Sequence, residues 1–262
     1  MPRITEGAPA AAVEARDLSF RYGAGEPPVF RNLNFRVEPG EFVCLLGHSG
    51  RGKTTLLRLV AGLDAPSSGE LLVEGRPVTG PGMDRGMVFQ GASLFPWMTL
   101  LENVVFGVRR AMPELSRRGA RERAAQFLDR VELLDSADKY PAQLSGGMAQ
   151  RGAIARMLSM NASIWLFDEP FSALDPPSRR AHRSLVRKLW RDQTPRRTIL
   201  FVTHNVDEAV RMADRILFLG GDGEGDMPIS LKREDGGAEG ISSLKGHLAD
   251  LFASGGPKGN EV

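Results

Sequence analysis

Cysteine is nearly missing from this chain of 262 residues: Cys44 is the only one, so no intrachain disulfide can form, a usage that fits a reducing compartment. No segment approaches the ~18 consecutive apolar residues of a membrane-crossing helix. The longest candidates, Ile164–Phe167 and Ile199–Val202, are strand-sized. The first residues, Met-Pro-Arg-Ile-Thr-Glu followed by Gly, Ala and Pro, lack the apolar centre of a signal peptide. Net charge is only +2, which argues against a dedicated nucleic-acid binder, since such proteins carry a pronounced basic excess. Any role at a membrane is therefore expected to be peripheral, through a separate spanning partner.

The hydrophobic share of 42% and charged share of 25% are those of a globular protein, and the length allows one large domain or two small ones with a substantial core. Residues 1–11 read as a flexible tail. Leu33, Phe35 and Val37 alternate with Asn34 and Arg36, which predicts antiparallel strands with one buried face between Val13 and Val37. Phe42–Leu46 is a continuous apolar run; Cys44 lies within it and reads as a buried strand thiol rather than a reactive one. Gly86–Phe89, Ile164–Phe167 and Thr198–Val202 read as further strands buried on both faces and separated by helices, a largely parallel α/β sheet.

Between Gln90 and Leu144 strand patterns disappear. Ala124, Phe127, Leu128 and Val131 fall on one face of an amphipathic helix, so a helical subdomain of about residues 91–158 is expected inside a domain of 12–219. The helix predicted over Ser178–Trp190 carries Arg179, Arg180, Arg183, Arg187 and Lys188, read as a solvated basic face opposite Leu185 and Leu189. Residues 220–262 form a short extension, glycine-rich at its start, with a helix predicted over Ile241–Phe252.

After Phe42–Leu46 comes Gly47-His48-Ser49-Gly50-Arg51-Gly52-Lys53-Thr54-Thr55, which contains the pattern GxxxxGK[ST] between a strand and a helix starting near Lys53. Glycine lets successive N–H groups turn toward an anion, and the helix adds the positive end of its dipole. Lys53 would reach the β- and γ-phosphates of a nucleotide and the Thr54 hydroxyl would hold Mg²⁺. His48 sits at a variable loop position, where the backbone N–H matters rather than the ring. Asp168 and Glu169 end the strand Ile164–Phe167, at the carboxyl edge where α/β sheets bind ligands; a helix cap before Pro170 is the competing reading.

Residues 144–151 read Leu-Ser-Gly-Gly-Met-Ala-Gln-Arg, between the phosphate loop and the Asp168-Glu169 pair, with His204 after the last buried strand. This combination and order resemble the ATP-binding cassette (ABC) ATPases over roughly Val13 to Phe218. The resemblance implies a P-loop NTPase core with a mainly parallel sheet, an N-terminal antiparallel β subdomain and an inserted α-helical subdomain, with ATP and Mg²⁺ as cofactors. It assigns Asp168 to Mg²⁺ and Glu169 to polarising the attacking water. Gln90 would touch both Mg²⁺ and that water, and His204 the γ-phosphate. Asp175 matches the loop crossing between subunits, and Tyr22 the aromatic stacked on adenine, although a strand-end Tyr can equally edge a core.

In such ATPases Ser145, Gly146 and Gly147 close over the γ-phosphate held by a second subunit. The implied partners are therefore a second ATPase subunit, most simply in a homodimer, transmembrane permease subunits, and through them a solute-binding protein. Nucleic acid is not among them. The location implied is peripheral, on the cytoplasmic face of the inner membrane. The run Gln90-Gly91-Ala92-Ser93-Leu94-Phe95-Pro96-Trp97-Met98-Thr99-Leu100 is similar to the ATPases of nitrate, sulfonate, taurine and bicarbonate importers, departing from them at Gly91 and Phe95. Trp97 fits either a permease-facing groove or the helical subdomain's own core. Lipid transport or export is the alternative within the superfamily. Non-transport ABC proteins usually have a long coiled-coil insertion or two cassettes per chain, and a phosphate-loop kinase leaves Leu144–Arg151 unexplained.

Overall fold

Two sheets organise the computed structural model, which describes residues 10–220, 229–232 and 237–253. The first is antiparallel. It contains β1 (Val13–Phe20), β2 (Phe30–Val37), β4 (Ser68–Val73) and β5 (Arg76–Pro77), in the order β2-β1-β4-β5. The second contains β3 (Phe42–Gly47), β6 (Arg85–Val88), β7 (Ile164–Asp168), β8 (Thr198–Val202), β9 (Arg215–Leu219) and β10 (Ile229–Lys232). Its order is β10-β9-β3-β8-β7-β6, parallel throughout except where β10 joins β9. This is the α/β fold expected from the sequence.

Side chains alternate across β3 and divide the interior in two. Val43 and Leu45 face a core shared with Leu18, Leu33 and Val37 of the antiparallel sheet and with Leu56 and Val60 of α1 (Lys53–Ala61). Phe42, Cys44 and Leu46 face the other way, toward Phe167, Phe171, Trp190, Phe201 and Phe218. Cys44 is a fully buried free thiol whose pKa burial pushes up, so it is packing, as read from the sequence. Leu33 and Val37 of β2 are likewise fully buried. β6 is an edge strand, and Arg85 and Met87 are only half-buried, so it is not covered on both faces as β7 and β8 are.

The helical part holds α2 (Leu100–Ala111), α3 (Arg117–Arg130) and α4 (Gly146–Ser159). Thr99 and Glu102 form a capping box at α2: the Glu102 N–H donates to Thr99 Oγ1 at 3.2 Å, and the Thr99 N–H to Glu102 Oε2 at 2.8 Å. Such reciprocal bonds satisfy two donors that a helix start otherwise leaves open. Ala124, Phe127, Leu128 and Val131 are all buried, as their spacing predicts.

α5 (Pro176–Arg191) and α6 (Val206–Met212) flank the parallel sheet, followed by α7 (Gly237–Ala253), which contains the expected helix Ile241–Phe252. Leu248 of α7 is fully buried, and Ile241, Leu244, Leu251 and Phe252 pack on the same core. The basic face expected on α5 is only partly solvated. Arg180 and Lys188 are exposed, but Arg179 is half-buried and donates to Leu174 O at 2.9 Å, and Arg187 donates to Arg211 O. Ala11 is already buried, while residues 1–9 of the expected tail and the glycines after Gly220 lie outside the described residues.

Candidate functional site

β3, β7 and β8 run in parallel and in register, with Leu45 beside Val202 and Asp168 beside Val202. Their carboxyl ends therefore deliver three segments to one edge: the loop from Gly47, the pair Asp168-Glu169, and Thr203-His204. Gly52 closes the loop at φ 76°, and a Cβ there would lie 2.5 Å from Val29 Cγ1, so both conformation and space require glycine. Gly52 is also the N-cap of α1, and no side chain caps that helix. Its first N–H groups are left for an anion.

Lys53 is buried, and its Nζ donates to Gly47 O at 2.8 Å and His48 O at 2.7 Å. Burial pushes its ammonium below the ordinary lysine range, while Glu169 and Asp168 pull it back. Thr54 Oγ1 donates to Asp168 Oδ1 at 2.8 Å. Burial pushes the Asp168 carboxyl up, and the Thr54 bond opposes that shift. Thr55 Oγ1 lies 2.7 Å from the Tyr22 hydroxyl. The Tyr22 ring meets Phe20, a buried core residue, edge-on at 5.0 Å and is 63% exposed, so it rests on the rim of the core and leaves much of its ring open.

Glu169 adopts φ 42°, a left-handed conformation uncommon for a non-glycine residue. Adjacent side chains on a regular strand point to opposite faces, and this turn ends that alternation as β7 stops. Glu169 Oε2 then lies 3.0 Å from His204 Nδ1. Ser172 Oγ donates to Glu169 O at 3.0 Å, and Gln90 Nε2 donates to Ser172 Oγ at 3.4 Å. The side chains of Gln90 and His204 thus converge on the Glu169 turn, with Ser172 as the link that sequence reading missed.

Four predicted residues lie apart. Ser145 and Gly146 are exposed at the start of α4, where Ser145 Oγ accepts from the Met148 N–H at 3.3 Å, and Gly147 follows. Asp175 caps α5, accepting from the Ser178 N–H at 3.1 Å. Within one chain Ser145 and Asp175 serve as helix caps, and among the described residues no hydrogen bond joins these four to the phosphate loop.

The ABC transporter family model matches residues 30–172. The chain belongs to this family. Among relatives of this ABC protein, the nitrate import ATP-binding protein NrtD of Synechocystis sp. is 47% identical over 195 residues, covering 74% of this chain and 72% of the relative. The bicarbonate transport ATP-binding protein CmpD of the same organism is 42% identical over 195 residues, covering 74% and 68%. A solved dimer of the ATP-binding cassette MJ0796, in a post-hydrolysis state bound to ADP and Pi, superposes with a TM-score of 0.73 at 33% identity. The match covers 84% of this chain and 98% of that one. The chain is accordingly an ATP-binding, ATP-hydrolysing subunit.

Two further features of this ABC ATPase adjoin the site. His48 of the phosphate loop packs its ring against Phe252 of α7 at 5.0 Å, and Phe252 in turn meets Phe218. Its ring is thus engaged, beyond the backbone role expected at this loop position. Beyond Gln90, the segment 95–99 is held by Asn103, which is fully buried. Asn103 Oδ1 accepts from the Phe95 N–H at 2.7 Å, and Nδ2 donates to the carbonyls of Phe95, Met98 and Thr99. The rigid segment presents Trp97, 70% exposed, beside a groove of about 580 Å³ lined also by Met98, Val105 and Phe106. Trp97 is not a core anchor.

Proposed function

We propose that the chain powers a membrane importer of small anions, working as a head-to-tail pair of ATPase subunits beneath a separate permease. The observation that carries the reading is the convergence of Glu169, His204 and, through Ser172, Gln90 beside the Thr54–Asp168 pair. A phosphate-binding loop alone would need none of these.

The phosphates of ATP take the N–H groups of Gly47–Lys53, and Lys53 releases the loop carbonyls to meet them. Thr54 and Asp168 offer oxygen ligands 2.8 Å apart, a donor set suited to Mg²⁺, which commonly binds through one or two carboxylates plus substrate phosphates. That ion, when bound, neutralises charge building between the phosphates; Gln90 reaches the same region. Glu169 polarises the attacking water as general base. His204 stands at the Glu169 turn, where its ring can turn an N–H toward the γ-phosphate. The face of Tyr22 left exposed receives adenine.

Ser145, Gly146, Gly147 and Asp175 project from one chain with no nucleotide of their own to meet. In the head-to-tail pair they complete the site of the other subunit, with the α4 N-terminus aimed at its γ-phosphate. In this reading the groove at Trp97 takes a short cytoplasmic segment of the permease, and the subunit works peripherally on the cytoplasmic face. The names of NrtD and CmpD support nitrate, bicarbonate or a similar small anion; a solute-binding protein would deliver it to the permease. Reconstitution with the co-purifying permease tests this. ATP-dependent anion uptake into proteoliposomes is expected, and a permease that expels lipid would overturn it.

A further inference from the structure

His182 lies on α5, among residues that read from the sequence as a solvated basic face. The side chain is instead buried, at 5% exposure. Its two ring nitrogens face two backbone carbonyls: Nδ1 is 2.8 Å from Ser178 O, one turn back on α5, and Nε2 is 3.0 Å from Gly147 O, in the first turn of α4. Both carbonyls only accept, so both contacts are hydrogen bonds at once only when each ring nitrogen carries a proton. The Phe171 ring packs against it at 5.9 Å. A Cβ on Gly147 would come within 3.2 Å of His182 Cε1, so a larger residue at 147 would push the ring away from the turn.

This imidazole joins two helix starts. One is α4, opened by Ser145-Gly146-Gly147; the other is α5, opened by Asp175. Neither is tied to the chain's own phosphate loop by a hydrogen bond. An apolar side chain would fill the same volume, but it would set no register between the two turns. A hydrogen bond to a specific carbonyl does.

We propose that His182 is a positioning residue of the ATPase cycle: its bond to Gly147 O holds the 145–147 turn and the Asp175 turn as one rigid surface for the nucleotide bound by the second subunit. The inference rests on the head-to-tail pairing proposed above.

Three substitutions separate the bonds. His182→Gln extends an amide far enough for Gly147 O, His182→Asn reaches only Ser178 O, and His182→Leu reaches neither. Each is made in a Glu169→Gln background, where ATP-driven dimerisation is followed by light scattering, and in the active chain, where kcat and KM are measured. The Asn and Leu variants are expected to need about fivefold more ATP per composite site to dimerise, the cost of one buried hydrogen bond. Their kcat should fall while ATP binding by the monomer is unchanged. The Gln variant should stay within about twofold of the parent. Should the Leu chain fail to fold, the Asn–Gln pair decides. Dimerisation of the Asn variant at parental ATP concentrations, or a Gln variant as impaired as Asn, overturns the role of His182. A Glu169→Gln parent that never dimerises with ATP overturns the pairing itself, and this inference with it.

Discussion

Glu169 Oε2 and His204 Nδ1 stand 3.0 Å apart, joined from neighbouring strands β7 and β8 at the edge where the phosphate loop begins. The Glu169 N–H also donates to Val202 O at 3.1 Å, two residues before His204. The carboxylate is therefore fixed both by its own backbone and by the imidazole. Glu169→Gln preserves shape and removes charge, and should slow hydrolysis by ~10²–10⁴-fold, the usual share of acid–base assistance. ATP binding should persist, and dimers with trapped nucleotide should accumulate. Turnover within a few-fold of wild type would place the base elsewhere.

Lys53 and Asp168 are expected to fail differently. Lys53→Ala removes the buried cation proposed to meet the phosphates and should weaken nucleotide binding itself, because a charge-assisted contact is lost. Asp168→Asn keeps an acceptor for the Thr54 hydroxyl but removes the anion, so it should raise the Mg²⁺ concentration needed for activity. Isothermal titration with MgATP distinguishes the two. Unchanged affinity in both variants contradicts the assignments.

The site was legible where chemistry is contiguous. Gly47–Thr55 and Asp168-Glu169 are read from adjacent residues, and the strands before them are continuous apolar runs. What linear order hides is convergence. Ser172 is an ordinary loop serine until the fold places it between Gln90 and Glu169. His182 draws no notice among the arginines that surround it in sequence, yet on the helix it shares the inner face with Val186 and Leu189. β4 was not predicted because its first half, Ser68-Gly69-Glu70, is exposed and shows no apolar pattern. β9 is apolar enough, but its short run Ile216–Leu219 leads into glycines that read as loop.

Gly146 offers a test of the pairing that spares the fold. A Cβ at this position meets nothing within 4 Å, and the residue is exposed, so Gly146→Asp should leave the monomer folded with normal ATP binding. In the head-to-tail pair the new carboxylate would face the γ-phosphate of the partner's nucleotide and repel it. Added to Glu169→Gln, it should abolish ATP-driven dimerisation in analytical ultracentrifugation. Dimers that survive the aspartate rule out the sandwich.

Asn103 should matter for stability before it matters for ATP. Asn103→Ala leaves the Phe95 N–H without its acceptor and the Met98 carbonyl without its donor, while the Phe95 and Thr99 carbonyls keep the backbone N–H groups of Met98 and residue 103. A buried polar group stripped of its partner costs about 1–3 kcal/mol, so urea denaturation should show a loss in that range. The segment 95–99 should also loosen, raising its amide hydrogen exchange. Wild-type stability would mean that the segment is held by other contacts.

Trp97 should behave in the opposite way. At 70% exposure its removal empties no core site, and exposed substitutions usually change stability by ~0.5 kcal/mol or less. Its ring still lies 5.5 Å from Phe95, which meets Phe106 at 5.1 Å, so Phe95 backs the two aromatics, Trp97 and Phe106, that border the open groove with Glu102, Arg109 and Arg110 on its wall. Interfaces concentrate binding energy in such aromatic anchors. Asn103 holds both Phe95 and Met98 in a segment that begins just past Gln90, so a shift of Gln90 between nucleotide states would carry the groove with it. Trp97→Ala should then keep the isolated subunit folded and hydrolysing ATP, while permease capture falls by ~30-fold, as for loss of a hot spot worth about 2 kcal/mol. Transport in proteoliposomes should fall with it. Full permease binding by the Ala variant would move the docking site away from this groove and leave its exposed aromatics without a partner.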